Sequence, residues 1–190
     1  MSCAVMLQEA EFEGILRGAR SGAEWAWRAL YRKFAPRLAS YARACRVVDP
    51  EDVVGAVFLS AVRALERFDG GPRDFQAWIF VFARNRILDE HRKVVRRRTQ
   101  AVPAEILADL GPTSDVEEEA MRGLAEERVR RALATLTPDQ REVILLRILG
   151  GFTIDEVAAV VRKRPGAVKA LQARALERLR RSIASGAVTL

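Results

Sequence analysis

Two runs of basic residues are the parts of this sequence best suited to binding another molecule. One extends from Arg162 to Arg181, and the other lies in residues 84–98. The cations of the earlier run are Arg84, Arg86, Arg92, Lys93, Arg96, Arg97 and Arg98, set against Asp89 and Glu90. Guanidinium and ammonium groups bind phosphates, and the formal net charge of the chain is +7. The sequence therefore predicts a polyanionic partner, nucleic acid before membrane.

The run after residue 162 has the spacing of a helix-turn-helix. A short helix is predicted from Asp155 to Val161, followed by a tight turn at Arg162 to Arg164. A second helix begins at Pro165, and Val157 and Val168 supply apolar contacts between the two helices. In such motifs the second helix places its N-terminal residues in the major groove of DNA.

The cations of this motif divide into two groups by position. Arg162, Lys163 and Arg164 lie at the positive end of the second helix, where phosphates bind well. Lys169 and Arg174 lie further along the helix and can reach base edges or phosphates. The alternative interpretation is a helical hairpin with an ordinary basic face.

Aromatic residues precede the earlier basic run: Phe68, Phe75, Trp78, Phe80 and Phe82. Rings beside arginines suit single-stranded nucleic acid, because bases stack on the rings while the cations follow the backbone. We expect Trp78 and Phe82 to be mainly structural, since a helix cannot expose all its faces. Phe68, in a Gly-rich loop, is the better stacking candidate.

Helices must position these groups, because apolar residues recur at helical spacing and strand-like alternation is nearly absent. We predict an all-α fold of two small helical domains joined by a flexible linker, the C-terminal domain being a helix-turn-helix. Four helices are expected in the first domain and four shorter ones in the second. Local N-cap signals mark several helix starts: Ser21 with Glu24, Asp49, Asp74 ahead of a helix opening at Phe75, Thr137 with Gln140, and Thr153 with Glu156.

The domain limits follow from charge and helix breakers. Residues 99–121 contain no Lys or Arg and several acids, together with Pro103, Gly111 and Pro112. We predict a first domain over residues 1–98, an acidic linker over 99–122 and a second domain over 123–190.

Several classes of protein are disfavoured by composition. The only cysteines, Cys3 and Cys45, form no metal-binding spacing, and His91 is the single histidine. We therefore expect no disulfide framework, no metal, no cofactor and no enzymatic activity, and we interpret Cys45 as a small core residue. No signal peptide is recognisable, and the longest apolar run, Phe75 to Ala83, is far shorter than the ~20 residues of a membrane helix. The chain is expected to be soluble and cytoplasmic, without membrane insertion.

Motifs in both halves resemble one family. Asp49-Pro50-Glu51-Asp52-Val53-Val54, Phe75-Gln76-Ala77-Trp78-Ile79 and Ala83-Arg84-Asn85 look like region two of the extracytoplasmic-function (ECF) sigma factors of bacterial RNA polymerase. Leu136-Thr137-Pro138-Asp139-Gln140-Arg141-Glu142-Val143 and Thr153-Ile154-Asp155-Glu156-Val157-Ala158 resemble its region four. The resemblance covers about Phe12 to Arg181, and independent motifs of both regions, in the expected order, make it specific.

The resemblance implies a factor that binds core RNA polymerase and directs promoter-specific initiation. The helix from Asp49 to Leu65 would contact the polymerase clamp, through Glu51, Asp52, Val53, Phe58 and Leu59. An anti-sigma factor is a further implied partner.

The resemblance also implies two DNA contacts. The loop from Phe68 to Phe75 would capture a flipped base of the melted non-template strand, without ATP. The minus-ten element would be read by one face bearing Arg84, Asn85, Asp89, Arg92, Lys93 and Arg96. Lys169 and Arg174 would read the minus-thirty-five element as duplex.

This chain departs from the family pattern at some positions. Gly55 stands where the family commonly has Gln, which removes one polymerase contact. Arg162 replaces the turn glycine, and Arg164 replaces a small polar cap, so phosphate anchoring is expected to be stronger. The acidic linker either mimics RNA in a polymerase channel or is a plain solvated spacer.

Three other functions remain as alternatives. A stand-alone helix-turn-helix regulator binding duplex operator DNA explains the second basic run and leaves the first unexplained. An enzyme acting on nucleic acid would need a metal cluster or a nucleophile with its base. A structural helical adaptor has no account of two separated basic faces.

Overall fold

The computed structural model describes residues 3–100 and 128–184, and for residues 3–9, 95 and 97–100 it describes the backbone alone. Within these ranges the regular elements are helices, with no strand. The all-α prediction is confirmed. The proposed linker lies almost entirely outside the described residues, so the predicted domain limits stay predictions.

The N-terminal half, residues 3–100, contains four α-helices and one 3₁₀ turn. They are α1 (Cys3–Arg20), α2 (Glu24–Ala44), α3 (Pro50–Ala64), the turn (Leu65–Arg67) and α4 (Pro72–Gln100). The C-terminal half, residues 128–184, also contains four. They are α5 (described over 128–134), α6 (Pro138–Ile148), α7 (Ile154–Val161) and α8 (Pro165–Ala184). The helices of the C-terminal half were expected to be shorter than those of the N-terminal half. The helix α8 departs from this, because its 20 residues exceed the 15 of α3.

Three of the predicted helix starts are confirmed. The Asp49 carboxylate accepts a hydrogen bond from the backbone N–H of Asp52, and proline follows it at the first helical position. Thr137 and Thr153 each form a reciprocal capping box with the residue three positions later, Gln140 and Glu156. These caps satisfy backbone N–H groups that have no partner inside the helix, and each contributes about 1 kcal/mol.

Two predicted starts are wrong in detail. The Ser21 hydroxyl donates back to the carbonyl of Gly18, so Ala23 is the N-cap of α2, without a side-chain bond. The helix α4 begins at Pro72 rather than Phe75. Asp74 lies inside its first turn and accepts a hydrogen bond from the N–H of Gly71.

Phenylalanine rings form the centre of the N-terminal half. Phe75 is fully buried, with ring centroids 5.5 Å from Phe12, 5.3 Å from Phe34 and 5.4 Å from Phe68. These contacts bring α1, α2, α4 and the loop before α4 onto one core. Such aromatic pairs add about 1 kcal/mol each beyond the area they bury.

The two halves pack directly against each other. The rings of Phe80 in α4 and Phe152, just before α7, meet edge to face at 5.1 Å, and both are buried. A single apolar cluster runs through both halves. We call this contact between α4 and residues 138–161 the seam. The positions that face across it are set by the helical period of α4.

Candidate nucleic-acid and polymerase interfaces

The helix-turn-helix predicted in the C-terminal half is confirmed. Its first helix begins at Ile154, one residue before the expected start, and its second begins at Pro165 as expected. Val157 and Val168 are fully buried between the two helices, and Ala158 is 5% exposed. These contacts fix the angle at which α8 leaves the motif.

Arginine occupies a backbone conformation that favours glycine in the turn of this motif. Arg162 has φ 56° and ψ 46°, in the left-handed region. Its N–H donates to the carbonyl of Ala159 at 3.4 Å, and the N–H of Lys163 donates to that of Ala158 at 3.0 Å. These bonds close the end of α7, so the missing glycine leaves the turn geometry intact and adds a cation.

Four of the five cations predicted to bind DNA here are exposed. They are Arg162, Arg164, Lys169 and Arg174. Lys163 is half-buried, and its ammonium group lies 2.9 Å from the Asp139 carboxylate of α6. The tip of α8 therefore presents two arginines at its start and two further cations along it, while Lys163 also ties α6 to the turn.

A continuous stripe of side chains runs along one outer face of α4. Helix positions three or four residues apart share a face. The stripe comprises Trp78, Phe82, Asn85, Asp89, Arg92 and Arg96. The last four are exposed, and the two rings are partly exposed and contact each other at 4.7 Å. Aromatic surface is thus followed directly by polar and basic groups, which we call the α4 stripe.

Two ion pairs modify the charge of the α4 stripe. Asp89 lies 3.1 Å from Arg92 within it. Lys93, also predicted to bind DNA, lies beside the stripe and is 3.3 Å from Glu90. All four side chains retain solvent exposure, so these pairs are weak and can exchange for a ligand.

Arg84 does not share this face, contrary to the sequence-based expectation. Successive helical residues are rotated by about 100°, so Arg84 points away from Asn85. With Gln76 and Phe80, at intervals of four residues, it faces the seam. Its guanidinium forms a two-pronged hydrogen bond to Glu142 of α6, at 2.7 and 3.3 Å.

Phe68 is also placed differently from the expectation. Its side chain is 7% exposed, because the ring packs against Phe75 and Trp78 at 5.4 and 5.0 Å. A base cannot stack on it in this arrangement. The accessible aromatic surface belongs to Trp78 and Phe82, the two residues expected to be mainly structural.

The residues expected to contact polymerase separate into exposed and buried groups. Glu51 and Asp52 are exposed and pair with Arg43 at 3.4 Å and Arg86 at 2.8 Å. Leu59 is 60% exposed. The expectation fails for Val53, which has no exposed surface, and for Phe58, which is 8% exposed, because both side chains pack into the apolar core.

Sequence reasoning missed two apolar residues on this surface. Val62 is 51% exposed and lies three residues after Leu59, on the same face of α3. Tyr31 of α2 is 50% exposed, with its ring 4.9 Å from that of Phe58. A Cβ added to Gly55 would meet no atom within 4 Å, so this position is open as well. The helical spacing of residues 55, 59 and 62, which places them on one face of α3, was the sequence signal that could have revealed this surface. We call Gly55, Leu59, Val62 and Tyr31 the α3 face.

A half-buried thiol, that of Cys45, lies at the seam. Burial, followed by the charge of Glu142, raises the pKa of Cys45 to about 12, while a hydrogen bond with Tyr41 opposes the change. Burial also raises the pKa of Tyr41. Cys45 packs partly buried against the core, which confirms its predicted structural role.

Neither a metal site nor a membrane-spanning helix is present among the described residues. Residues 3–100 and 128–184 contain no group of three or more His, Cys, Asp or Glu side chains that could hold a metal ion. None of the helices described is long and apolar enough to cross a membrane.

Family comparisons agree with both halves of this geometry. The model of Sigma-70 region 2 matches residues 30–98, and that of Sigma-70, region 4 matches residues 126–179. The ECF RNA polymerase sigma factor SigD of Mycobacterium tuberculosis is 32% identical over 195 residues, spanning 96% of this chain and 89% of SigD. This chain belongs to the ECF sigma factors. It therefore associates with RNA polymerase and directs transcription initiation. The match to region 2 accounts for the N-terminal half, which the alternative of a stand-alone helix-turn-helix regulator leaves unexplained.

Solved sigma factors share the fold. CnrH in complex with the cytosolic domain of CnrY is 27% identical, with a TM-score of 0.66 over 90% of this chain and 96% of that one; CnrH is a protein of Cupriavidus metallidurans. RpoE of Bartonella quintana, in complex with the anti-sigma factor NepR, is 23% identical with a TM-score of 0.63. It covers 81% of this chain and shows the fold alone.

Proposed function

We propose that this sigma factor binds promoter DNA through the α4 stripe and the tip of α8, and polymerase through the α3 face. The observation that carries the proposal is the α4 stripe, in which two partly exposed rings continue into exposed polar and basic groups on one helix face. Single-stranded DNA is bound by this combination of stacking and backbone contacts.

The N-terminal half would hold the melted non-template strand at the minus-ten element. Bases stack on Trp78 or Phe82, each stack contributing about 1–3 kcal/mol. Asn85 offers both donors and acceptors to base edges, and Arg92 and Arg96 neutralise phosphates. The stacking role assigned to Phe68 passes to Trp78 and Phe82, because they hold the accessible ring surface.

The C-terminal half would read the minus-thirty-five element as duplex. Arg162 and Arg164, beside the N-terminus of α8, suit phosphates, and Lys169 and Arg174 suit base edges in the major groove. Lys163 contributes less to affinity, since its ammonium group is already paired with Asp139.

The α3 face would dock on the polymerase. Leu59, Val62 and Tyr31 supply exposed apolar surface, and Glu51 and Asp52 supply charge at the start of the helix. The depletion of charge at the centre of this patch, with charge at its rim, is typical of protein interfaces. The open surface at Gly55 allows close approach of the partner.

Further partners and the cellular location follow from this role. The solved complexes of CnrH with CnrY and of RpoE with NepR support an anti-sigma partner for this chain too. We also propose a cytoplasmic location, because the protein would act on promoter DNA together with RNA polymerase. The domain limits 1–98, 99–122 and 123–190 remain our proposal, supported by the two separate family matches.

Run-off transcription with purified core polymerase on a pool of promoter fragments tests the proposal. Sequence-selective transcripts that depend on the protein are expected. Arg92→Ala should reduce open-complex formation several-fold while core binding persists. Arg28→Ala, which breaks an exposed pair with Glu24 within α2, is the matched control. If no transcript forms and the protein also fails to bind core polymerase, the role is wrong and a duplex-binding regulator replaces it.

A further inference from the structure

An apolar cavity with a cationic rim lies between the C-terminal part of α2 and the helices α5 and α6. Its volume is about 480 Å³. Leu133, Ile144 and Leu145 line it and are buried or half-buried, whereas Val129 and Ile148 line it and are 59% and 71% exposed. Volumes of about 300–1,000 Å³ are typical of sites for small molecules. The cavity is therefore large enough to hold a ligand with an apolar part.

The charged side chains around this cavity have one sign. Four arginines line it, Arg43, Arg46, Arg130 and Arg141, and no Asp or Glu is among its described lining residues. Arg43 has an acidic neighbour at 3.4 Å, Glu51, but both side chains of this pair are more than half exposed. Exposed pairs contribute little to stability and can exchange for a ligand. The rim therefore carries an excess of positive charge that favours an anion.

Arg46 lies at this rim in a strained backbone conformation. Its φ of 60° is in the left-handed region, which favours glycine. The N–H of Arg46 donates to the carbonyl of Arg43 at 2.9 Å, and the N–H of Val47 donates to that of Ala42 at 3.2 Å. These two bonds form the Schellman motif that ends many helices, usually with glycine at this position. An arginine here points to a function of its side chain, because strained residues cluster at ligand sites.

Arg141 is held close to the charge of Arg46. Its Nε donates to the carbonyl of Leu133 at 2.9 Å, and its Nη2 donates to that of Leu136 at 3.4 Å. Burial, followed by the charge of Arg46, lowers the pKa of Arg141. Two backbone carbonyls thus hold one guanidinium near another, although like charges repel. A carboxylate bound by both would offset this repulsion, since guanidinium groups bind carboxylates with two parallel hydrogen bonds.

A small amphiphile suits these features better than a protein segment does. Protein interfaces bury about 800 Å² on each partner. Among the large apolar residues described around the cavity, only Val129 and Ile148 are exposed. The other apolar surface lies inside the cavity, where a single chain can reach it. The half-buried Ser40 also lines the cavity and offers a hydroxyl donor to an anionic head group.

We propose that this cavity, which we call the α2–α6 pocket, binds an amphiphile with one apolar chain and a carboxylate head, such as a fatty-acid anion. The chain would lie against Leu133, Ile144 and Leu145, and Arg46 and Arg141 would bind the carboxylate. The ligand would contact both halves of the chain, because the pocket is lined by α2 from one half and by α5 and α6 from the other. The proposal does not depend on the proposed DNA contacts.

Isothermal titration calorimetry of the full chain with dodecanoate, below its micelle-forming concentration, tests the proposal. We expect one saturable site and a negative heat-capacity change, because the apolar chain is buried on binding. Each methylene added between octanoate and dodecanoate should lower Kd about two- to fourfold. Dodecanol has the same chain without the charge and should bind at least about tenfold more weakly.

Arg46→Gly tests the head-group contact, because it removes the cation while glycine suits the left-handed backbone. The variant should melt no lower than the parent and bind dodecanoate at least about tenfold more weakly. Arg162→Gly is the matched control. It removes the same charge from the same backbone region, φ 56°, at a residue that does not line the pocket. Its affinity for dodecanoate should equal that of the parent.

A second variant tests the apolar lining. Ile148 is 71% exposed, so Ile148→Asp is expected to fold, which circular dichroism can check. The new carboxylate would lie at the edge of the pocket and repel the head group of the ligand. We expect dodecanoate to bind Ile148→Asp at least about tenfold more weakly than it binds the parent.

Several results would overturn the proposal. Equal affinities for dodecanoate and dodecanol would show that the arginines do not bind the head group. Equal weakening by Arg46→Gly and Arg162→Gly would show a general effect of net charge. If dodecanoate does not bind, but an amphipathic peptide with Leu and Glu at helical spacing does, the pocket is a docking site for a protein helix instead.

Discussion

Replacing Arg162 with glycine should stabilise this protein and weaken its binding to DNA at the same time. The arginine holds φ 56° and ψ 46° at the end of α7. For a residue with a side chain this region costs about 1–2 kcal/mol, because the Cβ approaches the following carbonyl oxygen. Glycine avoids that cost but gains freedom in the unfolded chain, which offsets about 0.5–1 kcal/mol.

The net gain in the free energy of unfolding is therefore about 0.5–1 kcal/mol. For a chain of this size, 1 kcal/mol corresponds to roughly 2–4 °C in the midpoint of thermal unfolding. We expect Arg162→Gly to unfold about 2 °C higher in a circular dichroism melt. The same substitution removes an exposed cation, so the slope of log K against log salt for duplex DNA should fall by about one unit.

Arg162→Ala separates the two effects. Alanine removes the charge but retains a Cβ in the left-handed region, so DNA binding should weaken as in the glycine variant while the melting temperature does not rise. If both variants melt at the same temperature, the backbone strain assigned to Arg162 is refuted. If the salt slope is unchanged in both, Arg162 does not contact phosphate.

Other predictions follow from the interfaces and the caps. Leu59→Arg should abolish detectable binding to core polymerase in a pull-down without lowering the melting temperature. Val53→Ala should instead destabilise the fold by about 2 kcal/mol, because Val53 is buried. The reverse pattern would contradict the assignment of the α3 face. Thr153→Ala should cost about 1 kcal/mol in urea unfolding through loss of the α7 cap, and Thr153→Ser should restore most of it. The pKa of Cys45 is raised from 9.0 to about 12, so the unfolded chain loses this proton first and stability should decline between about pH 9 and 12. Cys45→Ala should flatten that decline in unfolding measured against pH, and an unchanged slope would show that Cys45 does not contribute.

Helix starts with self-contained caps were predictable because their signals are local. The side chains of Thr153 and Glu156 each accept a hydrogen bond from the backbone N–H of the other residue. Both residues can be read directly from the sequence, three positions apart. Ser21 carries the same pattern but fails. Ser21 lies with Gly22, which has φ 77°, in the turn that follows α1, and its hydroxyl donates back to the Gly18 carbonyl of that helix.

Burial within a loop was not predictable from residue type. Phe68 follows a 3₁₀ turn and precedes two glycines, which is typical of an exposed loop. Its ring is nevertheless covered, because Phe75 and Trp78 present a matching surface once α4 begins at Pro72. Trp78 keeps part of its ring exposed, so the exposure of these two rings is the reverse of what we expected.

The seam was the largest feature beyond reach of the sequence. Helical periodicity shows that Gln76, Phe80 and Arg84 share a face, but it does not identify the partner of that face. Arg84 was grouped with Asn85 because the two are adjacent and polar. Only the position of Glu142, 58 residues away, shows that they serve different surfaces.

The ion pair across the seam limits how freely the halves of such factors can be exchanged. A chimera that joins the C-terminal half of this chain to an N-terminal half without an arginine at position 84 would leave the Glu142 carboxylate shielded and uncompensated. Breaking a buried pair in this way costs about 3–5 kcal/mol, enough to matter against the stability of a whole domain. Designers who recombine promoter specificities from different relatives would therefore need to transplant the acid together with its arginine.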